Sequence, residues 1–377
     1  RIFGMVASKQ GMAVRFYLGL SPMTAKFPNR ASFNFIIFSV DPQWGFRSAA
    51  GKYYSFYPDY YAQRLPNDGL WMFQMDGRVP PNIEQYGFNE IEMQFDTLEQ
   101  DIRRDTKHGI LTFPYTIVGQ REIKFLDELP DGYEQAMEVY RQWSPQDHAD
   151  HPLTKENSCA YGDRYLKQEV TSSAATRVDG KYNIIIRNTF WGDNSVSFRM
   201  NPDPDLFEGS DKKNVGADTL QIINEWLEQD SRFDGIYVDS LGANWPSLLN
   251  YRKDHFAYAD YPASFDPDGI LALHNQISHY EFLETLRDKL RLTGRYLFGN
   301  GIYAYPSRPN PPEHYRSDGK GHRIELGRFF MSVLLDIAGS EAGVRATQKR
   351  CQQVRVFMGP KVYSYLNYHW EDRGDVE

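Results

Sequence analysis

Over the first forty residues, apolar and polar positions alternate with period two. The runs Met12–Leu20 and Ser32–Val40 are rich in Phe, Val, Ile and Tyr, and Ser21-Pro22 and Pro28-Asn29 punctuate them. Such alternation marks half-buried β-strands. The stretch reads as the closing part of a β-sandwich whose start lies upstream. At Asp41-Pro42 the period changes. Trp44, Phe46, Ala49, Tyr53 and Tyr57 fall near helical spacing, Asp41 is placed to cap them, and Pro58 ends the run. The β-sandwich part and this linking helix together make up 1–64, and a second domain covers 65–377.

From Leu70 onward the rhythm is strand, loop, helix. The runs Leu70–Gln74, Phe88–Gln94, Ile110–Thr116, Phe233–Asp239, Tyr296–Phe298 and Val362–His369 predict strands. Asn183–Phe190 and Val196–Met200 are extended as well. Helices are predicted over Asp96–Lys107, Glu134–Trp143, Thr219–Gln229 and Gln276–Leu292. The first of these carries acids early and bases late, as the helix dipole favours. Strands alternating with helices predict an α/β fold with a parallel sheet. Long, irregular connections over 65–377 suit a decorated (β/α)8 TIM-type barrel. The chain starts at Arg1 and ends soon after its last strand, so it reads as a fragment with the barrel incomplete at the C-terminus.

In a TIM barrel the chemistry sits where strands end at their C-terminal side. The sharpest such feature is Phe233–Gly242, in which a buried run ends in Asp239. Glycoside hydrolysis needs one carboxylate as nucleophile or charge stabiliser and a second as acid or base. Asp239 suits the first role. A second run, Val333–Glu341, delivers Asp336 and, after a Gly-Ser turn, Glu341; either suits the second role. Asn300, between two glycines after the strand 296–298, suits a sugar hydroxyl. Asp203, in Asn201-Pro202-Asp203-Pro204-Asp205, is placed to line the mouth. Tyr115, Trp191, Tyr237, Trp245 and Tyr303 are the aromatic candidates for substrate contact. His255–Asp268 reads as a long loop after the Asp239 strand, a lid or subsite wall, whose acids lack EF-hand spacing.

Composition narrows the partners. Aromatic residues make up 15 %, which suits stacking on the apolar face of a sugar as well as ordinary packing. A net charge of −8 repels phosphate backbones and argues against nucleic acid. No apolar stretch approaches the roughly 18 residues of a membrane span. Cys159 and Cys351 form no CxxC pair, and no H-E-x-x-H occurs, so no metal is expected. No phosphate-binding glycine motif follows an early strand, so no cofactor is expected either.

Asp234–Gly242, with Leu335–Glu341 downstream, resembles large retaining glycoside hydrolases of barrel type, nearest the α-galactosidase clan and the endo-α-N-acetylgalactosaminidases. That resemblance implies Asp239 as nucleophile and Asp336 or Glu341 as acid/base. It covers short motifs within 40–370, and the K-x-D signature of typical α-galactosidases is absent at Asp239. A carbohydrate substrate in turn implies an extracellular or periplasmic protein whose signal peptide is not in this sequence. Two other functions fit the same residues less directly. One is a barrel that binds glycans without cutting them. The other is a polysaccharide lyase drawing on Arg187, Tyr115 and His369.

Overall fold

The computed structural model describes residues 3–9, 11–16, 18–26, 30–32, 34–65, 69–72, 85, 87–93, 99–144, 165–188, 194–229, 232–241, 249–266, 268–300, 331–340, 356 and 358–366. An antiparallel hairpin, β1 (Phe3–Ser8) and β2 (Gly11–Phe16), comes first. Residues 34–40, expected as a strand, carry none. The helix expected from Asp41 begins later, as α1 (Phe46–Phe56), and Pro58 opens the short α2 (Pro58–Tyr61).

Among the described residues, seven parallel strands then close into a ring. They are β3 (Gly69–Met72), β4 (Phe88–Met93), β5 (Leu111–Thr116), β9 (Gly235–Val238), β13 (Tyr296–Asn300), β14 (Ile337–Ser340) and β15 (Val362–Leu366). The last pairs with the first, Tyr365 opposite Leu70, and β5 joins β9 with Tyr115 opposite Tyr237. Helix α3 (Glu99–His108) falls between β4 and β5.

The chain between β5 and β9 departs from the βα rhythm. It forms β6 (Gln120–Leu126), α4 (Tyr133–Gln142), α5 (Leu166–Ser173), β7 (Ile184–Asn188), β8 (Asn194–Arg199) and α6 (Val215–Gln229). Strands β6, β8 and β7 make a separate antiparallel sheet in that order. The two extended runs near 183–200 therefore belong to an excursion and not to the barrel. A second excursion after β9 holds β10 (Leu249–Asn250), β11 (Ser264–Phe265) and β12 (Leu271–His274), and leads into α7 (Asn275–Leu292).

The expected lid over 255–268 is thus partly structured and pinned. His255 is fully buried; its Nε2–H donates to the Ser172 carbonyl at 2.7 Å, while Nδ1 accepts from Asn201 and Asn250 at 3.2 and 3.0 Å. Burial pushes its pKa down to about 3, so the ring is neutral. The acids here have internal work. Asp266 accepts the amides of Asp268 and Ile270, and Asp260 pairs with Lys26. Among the described residues no group of three metal-ligating side chains occurs, and no helix is long and apolar enough to cross a membrane.

The period-two alternation of the strands sorts side chains into two cores. Trp71, Phe113, Tyr237, Phe298, Ile337 and Val362 fill the barrel interior with Leu65. Their neighbours Ile236, Val238, Leu297 and Ala338 face outward onto Leu220, Ile223 and Trp226 of α6 and Leu283, Leu286 and Leu290 of α7. Such complementary packing is what a barrel interior requires in place of a pore.

Gly235 marks a place where this packing leaves no room. A Cβ there would lie 1.9 Å from the Tyr296 carbonyl oxygen, a backbone atom that cannot swing aside. Gly51, inside α1, has open space around its Cβ position. Gly235→Ala should therefore destabilise the protein by about 2 kcal/mol or more through overpacking. Gly51→Ala should stabilise α1 by about 0.5–1 kcal/mol. Chemical denaturation of the two variants beside the parent checks the opposite signs.

Candidate active site at the barrel mouth

Strand β9 ends at Val238, and Asp239 follows at the C-terminal rim. The chain leaves the strand sharply: Ser240 takes φ +55°, a left-handed conformation uncommon outside glycine. Two ladder-like bonds fix this turn. The Asp239 amide donates to the Thr116 carbonyl at 2.9 Å, and the Leu241 amide to the Asn300 carbonyl at 3.1 Å. Asp239 is thereby anchored to the ends of both neighbouring strands, β5 and β13.

Those strands also supply its hydrogen-bond donors. Tyr115, near the end of β5, donates its hydroxyl to Asp239 Oδ2 at 3.1 Å, and Asn300, the last residue of β13, donates Nδ2 to Oδ1 at 2.9 Å. Tyr237 and Asp239 are two apart and share the inward face; the Tyr237 hydroxyl donates to Oδ1 at 3.4 Å. Ser240 Oγ donates to Oδ2 at 2.9 Å. Each carboxylate oxygen thus receives two donors, which matches the four lone-pair sites of an ionised carboxylate. Beneath lies an aromatic layer, with Tyr237 against Phe298 at 4.8 Å, Trp71 at 5.2 Å and Tyr115 at 5.7 Å between ring centroids.

Exposure divides these partners by role. Tyr237 and Asn300 are only 1 % and 2 % exposed, which leaves no face for a sugar. Both spend their polar groups on the Asp239 carboxylate. Tyr115, Asp239 and Ser240 are half-buried.

Asp336 lies elsewhere, and its expected acid/base role is corrected. It precedes the first residue of β14, so it stands at the N-terminal end of the strand, on the barrel floor opposite Asp239. Its Oδ2 accepts the Leu297 amide at 2.9 Å and Arg64 Nη1 at 2.8 Å, and its own amide donates to the Leu297 carbonyl at 2.9 Å. Asp234, just before β9, is used in the same way against Thr112 of β5. Both acids stitch the starts of adjacent strands. Arg64 comes from the linker after α2, so the Asp336 pair also fastens that linker beneath the barrel.

Asp203 is likewise buried. Its Oδ1 accepts the Asp205 amide at 2.9 Å within a turn that precedes α6, and no hydrogen bond among the described residues joins it to the Asp239 group. Arg187, one of the residues a lyase would draw on, bonds Glu122 at 2.7 Å in the antiparallel sheet. Trp191, Trp245, Tyr303, Glu341 and His369 lie outside the described residues. In chain order Glu341 directly follows Ser340, the last residue of β14. Ser240 is the member of the cluster that sequence reasoning missed, since its left-handed turn has no signature in a Ser-Leu-Gly run.

No family model and no curated protein matches this chain. Several solved structures align with it at low identity. The glycoside hydrolase domain of PelA from Pseudomonas aeruginosa aligns at 12 % identity and a TM-score of 0.31, covering 74 % of this chain and 68 % of that one. A cycloisomaltooligosaccharide glucanotransferase from Paenibacillus sp. aligns at 11 % and 0.38, over 83 % of this chain and 40 % of that one. Isomaltulose synthase from Klebsiella sp. LX3 aligns at 9 % and 0.34, over 79 % and 56 %. These are carbohydrate-active enzymes by name. With TM-scores below 0.5, the likenesses do not decide what this site does.

The two aspartates call for different behaviour. Removing Arg64 leaves the nearly solvent-free Asp336 without its closest cation, so Arg64→Met should lower stability by about 3 kcal/mol. Asp239→Asn keeps the size of the side chain at the mouth and should change stability by no more than about 1 kcal/mol. Urea unfolding of the two variants would show whether floor and rim divide in this way.

Proposed function

We propose that this protein hydrolyses glycosidic bonds of a polysaccharide or glycan at the barrel mouth. Asp239 is the nucleophile or charge stabiliser, and Glu341 is the acid/base. The observation that carries this reading is the placement of Asp239. It stands at the C-terminal end of a barrel strand and is held by donors from both flanking strands. A carboxylate fixed in this way is preorganised to face positive charge developing at an anomeric carbon. The route uses two carboxylates and no cofactor.

Glu341 takes the second role because Asp336 is committed to Arg64 and the Leu297 amide on the floor. Tyr115 is the first aromatic contact, and Trp191, Trp245 and Tyr303 are the further platforms for sugar rings. A substrate of this class places the protein outside the cytoplasm, in the periplasm or the medium. The separation of the two carboxyl groups sets the stereochemistry: about 5–5.5 Å for retention and about 6.5–9.5 Å for inversion.

A glycan-binding barrel without hydrolysis is the second reading. It is favoured by one observation, that both Asp239 oxygens already carry two donors each.

Release of reducing ends from a glycan panel tests the proposal. Asp239→Asn should lose at least about 10³-fold in rate, as loss of a nucleophile does elsewhere. Glu341→Gln should fail on natural linkages yet retain activity on aryl glycosides whose leaving group needs no proton. Full activity in Asp239→Asn would remove the mechanism. Binding of a glycan with no cleavage by the parent protein would favour the second reading.

A further inference from the structure

A second acidic centre lies away from Asp239, between the turn before α6 and the first half of α7. Asp203 and Glu281 are 1 % and 4 % exposed. Each uses one oxygen to accept a backbone amide: Asp205 N–H to Asp203 Oδ1 and Asp260 N–H to Glu281 Oε1, both at 2.9 Å. The other oxygens, Asp203 Oδ2 and Glu281 Oε2, are buried and have no hydrogen-bond partner among the described residues.

The charged groups around the pair come from every element packed there. Asp205 belongs to the same turn as Asp203. Asp260 and Tyr261 come from the loop before β11, and Glu284 lies one turn further along α7, where it accepts the Tyr261 hydroxyl at 3.2 Å. The N-terminal segment brings Lys26, whose ammonium bonds Asp205 at 2.9 Å and also Asp260. That segment is tied to the same loop by the Gly19 amide, which donates to the Ala263 carbonyl at 2.8 Å.

Charge counting then constrains the centre. Asp203, Asp205, Asp260 and Glu281 surround one ammonium, and that ammonium is already engaged by the two outer carboxylates. Among the described residues no further cation bonds Asp203 or Glu281, and two more buried anions, each with a bare oxygen, would crowd a centre that is already acidic, an arrangement that like-charged carboxyls avoid by keeping a proton. We propose that at least one of Asp203 and Glu281 keeps its proton in the folded chain, and that this proton is a switch. While it is held, the 256–263 loop stays closed on α7 and the 201–205 turn, and through Lys26 so does the 18–26 segment. When it leaves, this corner opens.

The direction of titration agrees. Burial, with the neighbouring carboxylates adding to it, pushes Asp203 up to about 7 and Glu281 well above its ordinary range. A carboxyl whose pKa is raised on folding contributes stability that is complete below its unfolded value. That contribution is lost as pH rises through the folded value. The window is therefore roughly pH 4 to 7, with closure favoured on the acid side. The inference does not rest on the hydrolase reading.

Amide hydrogen exchange on the full chain tests the switch. Once the chemical exchange rate is divided out, protection at the Asp205 and Asp260 amides should fall by about tenfold per pH unit across the upper part of this window, the slope of one linked proton. Asp203→Asn and Glu281→Gln keep the side-chain size and remove the charge. Each should flatten that slope and raise the thermal midpoint at pH 8. A wild-type slope of zero, or a slope unchanged in both variants, would overturn the proposal. If neither variant folds, a carbon-13 carboxyl titration of the wild type decides. One carboxyl titrating near neutrality supports the retained proton, and both titrating below pH 5 refutes it.

Discussion

The site depends on one geometric constraint, the period-two alternation of side chains around a closed ring of parallel strands. Because Tyr237 points into the barrel, Asp239 two residues later does too. The pairing of Tyr115 with Tyr237, and of Phe298 with Tyr237, sets β5 and β13 in register on either side of it. Their last inward side chains, Tyr115 and Asn300, then arrive at the height of the carboxylate. A slip of one residue in either strand would turn its donor outward. The aromatic layer of Trp71, Phe113, Tyr237 and Phe298 resists such slips, since those rings fill the space below only in this register.

The same constraint explains why like-looking acids do unlike things. Asp239 and Asp336 both adjoin apolar runs, and in the sequence each reads as a strand-end acid. The difference is which end of the strand each occupies. At the floor, the backbone amides and carbonyls at the start of the neighbouring strand lack partners, and Asp336 and Asp234 supply them. At the rim the chain leaves into loops, and Asp239 is met by side chains instead. A floor carboxylate therefore serves the ring, and a rim carboxylate faces the mouth.

Much of this was legible beforehand. The strand ending in Asp239 was readable because an apolar run, a carboxylate and a glycine succeed one another. Tyr115 and Asn300 were readable as residues at or after strand ends. The strand near Asp336 was misplaced because Val333-Leu334-Leu335 is as apolar as a strand. In the structure Leu334 and Leu335 pack in the outer core, and β14 starts only at Ile337. Periodicity also failed to separate the excursion strands β7 and β8 from barrel strands, since half-buried strands look alike in either sheet. The burial of Asp203 and Glu281, each with a bare oxygen, is set by tertiary packing, and no local pattern carries it.

The donors to Asp239 differ in how far they can yield. Tyr237 and Asn300 are buried, and Asn300 is further fixed by the Leu241 amide on its carbonyl, so the bonds they make to Oδ1 are shielded from water. Tyr115 and Ser240 are half-buried and donate through hydroxyls that rotate at little cost. Oδ2 is therefore the oxygen that can exchange a protein donor for a ligand, while Oδ1 keeps the carboxylate plane in place. This asymmetry is what the proposed hydrolysis would use. In that proposal the hydrogen bonds on Oδ2 give way to substrate, while the aromatic layer beneath keeps the group from swinging away.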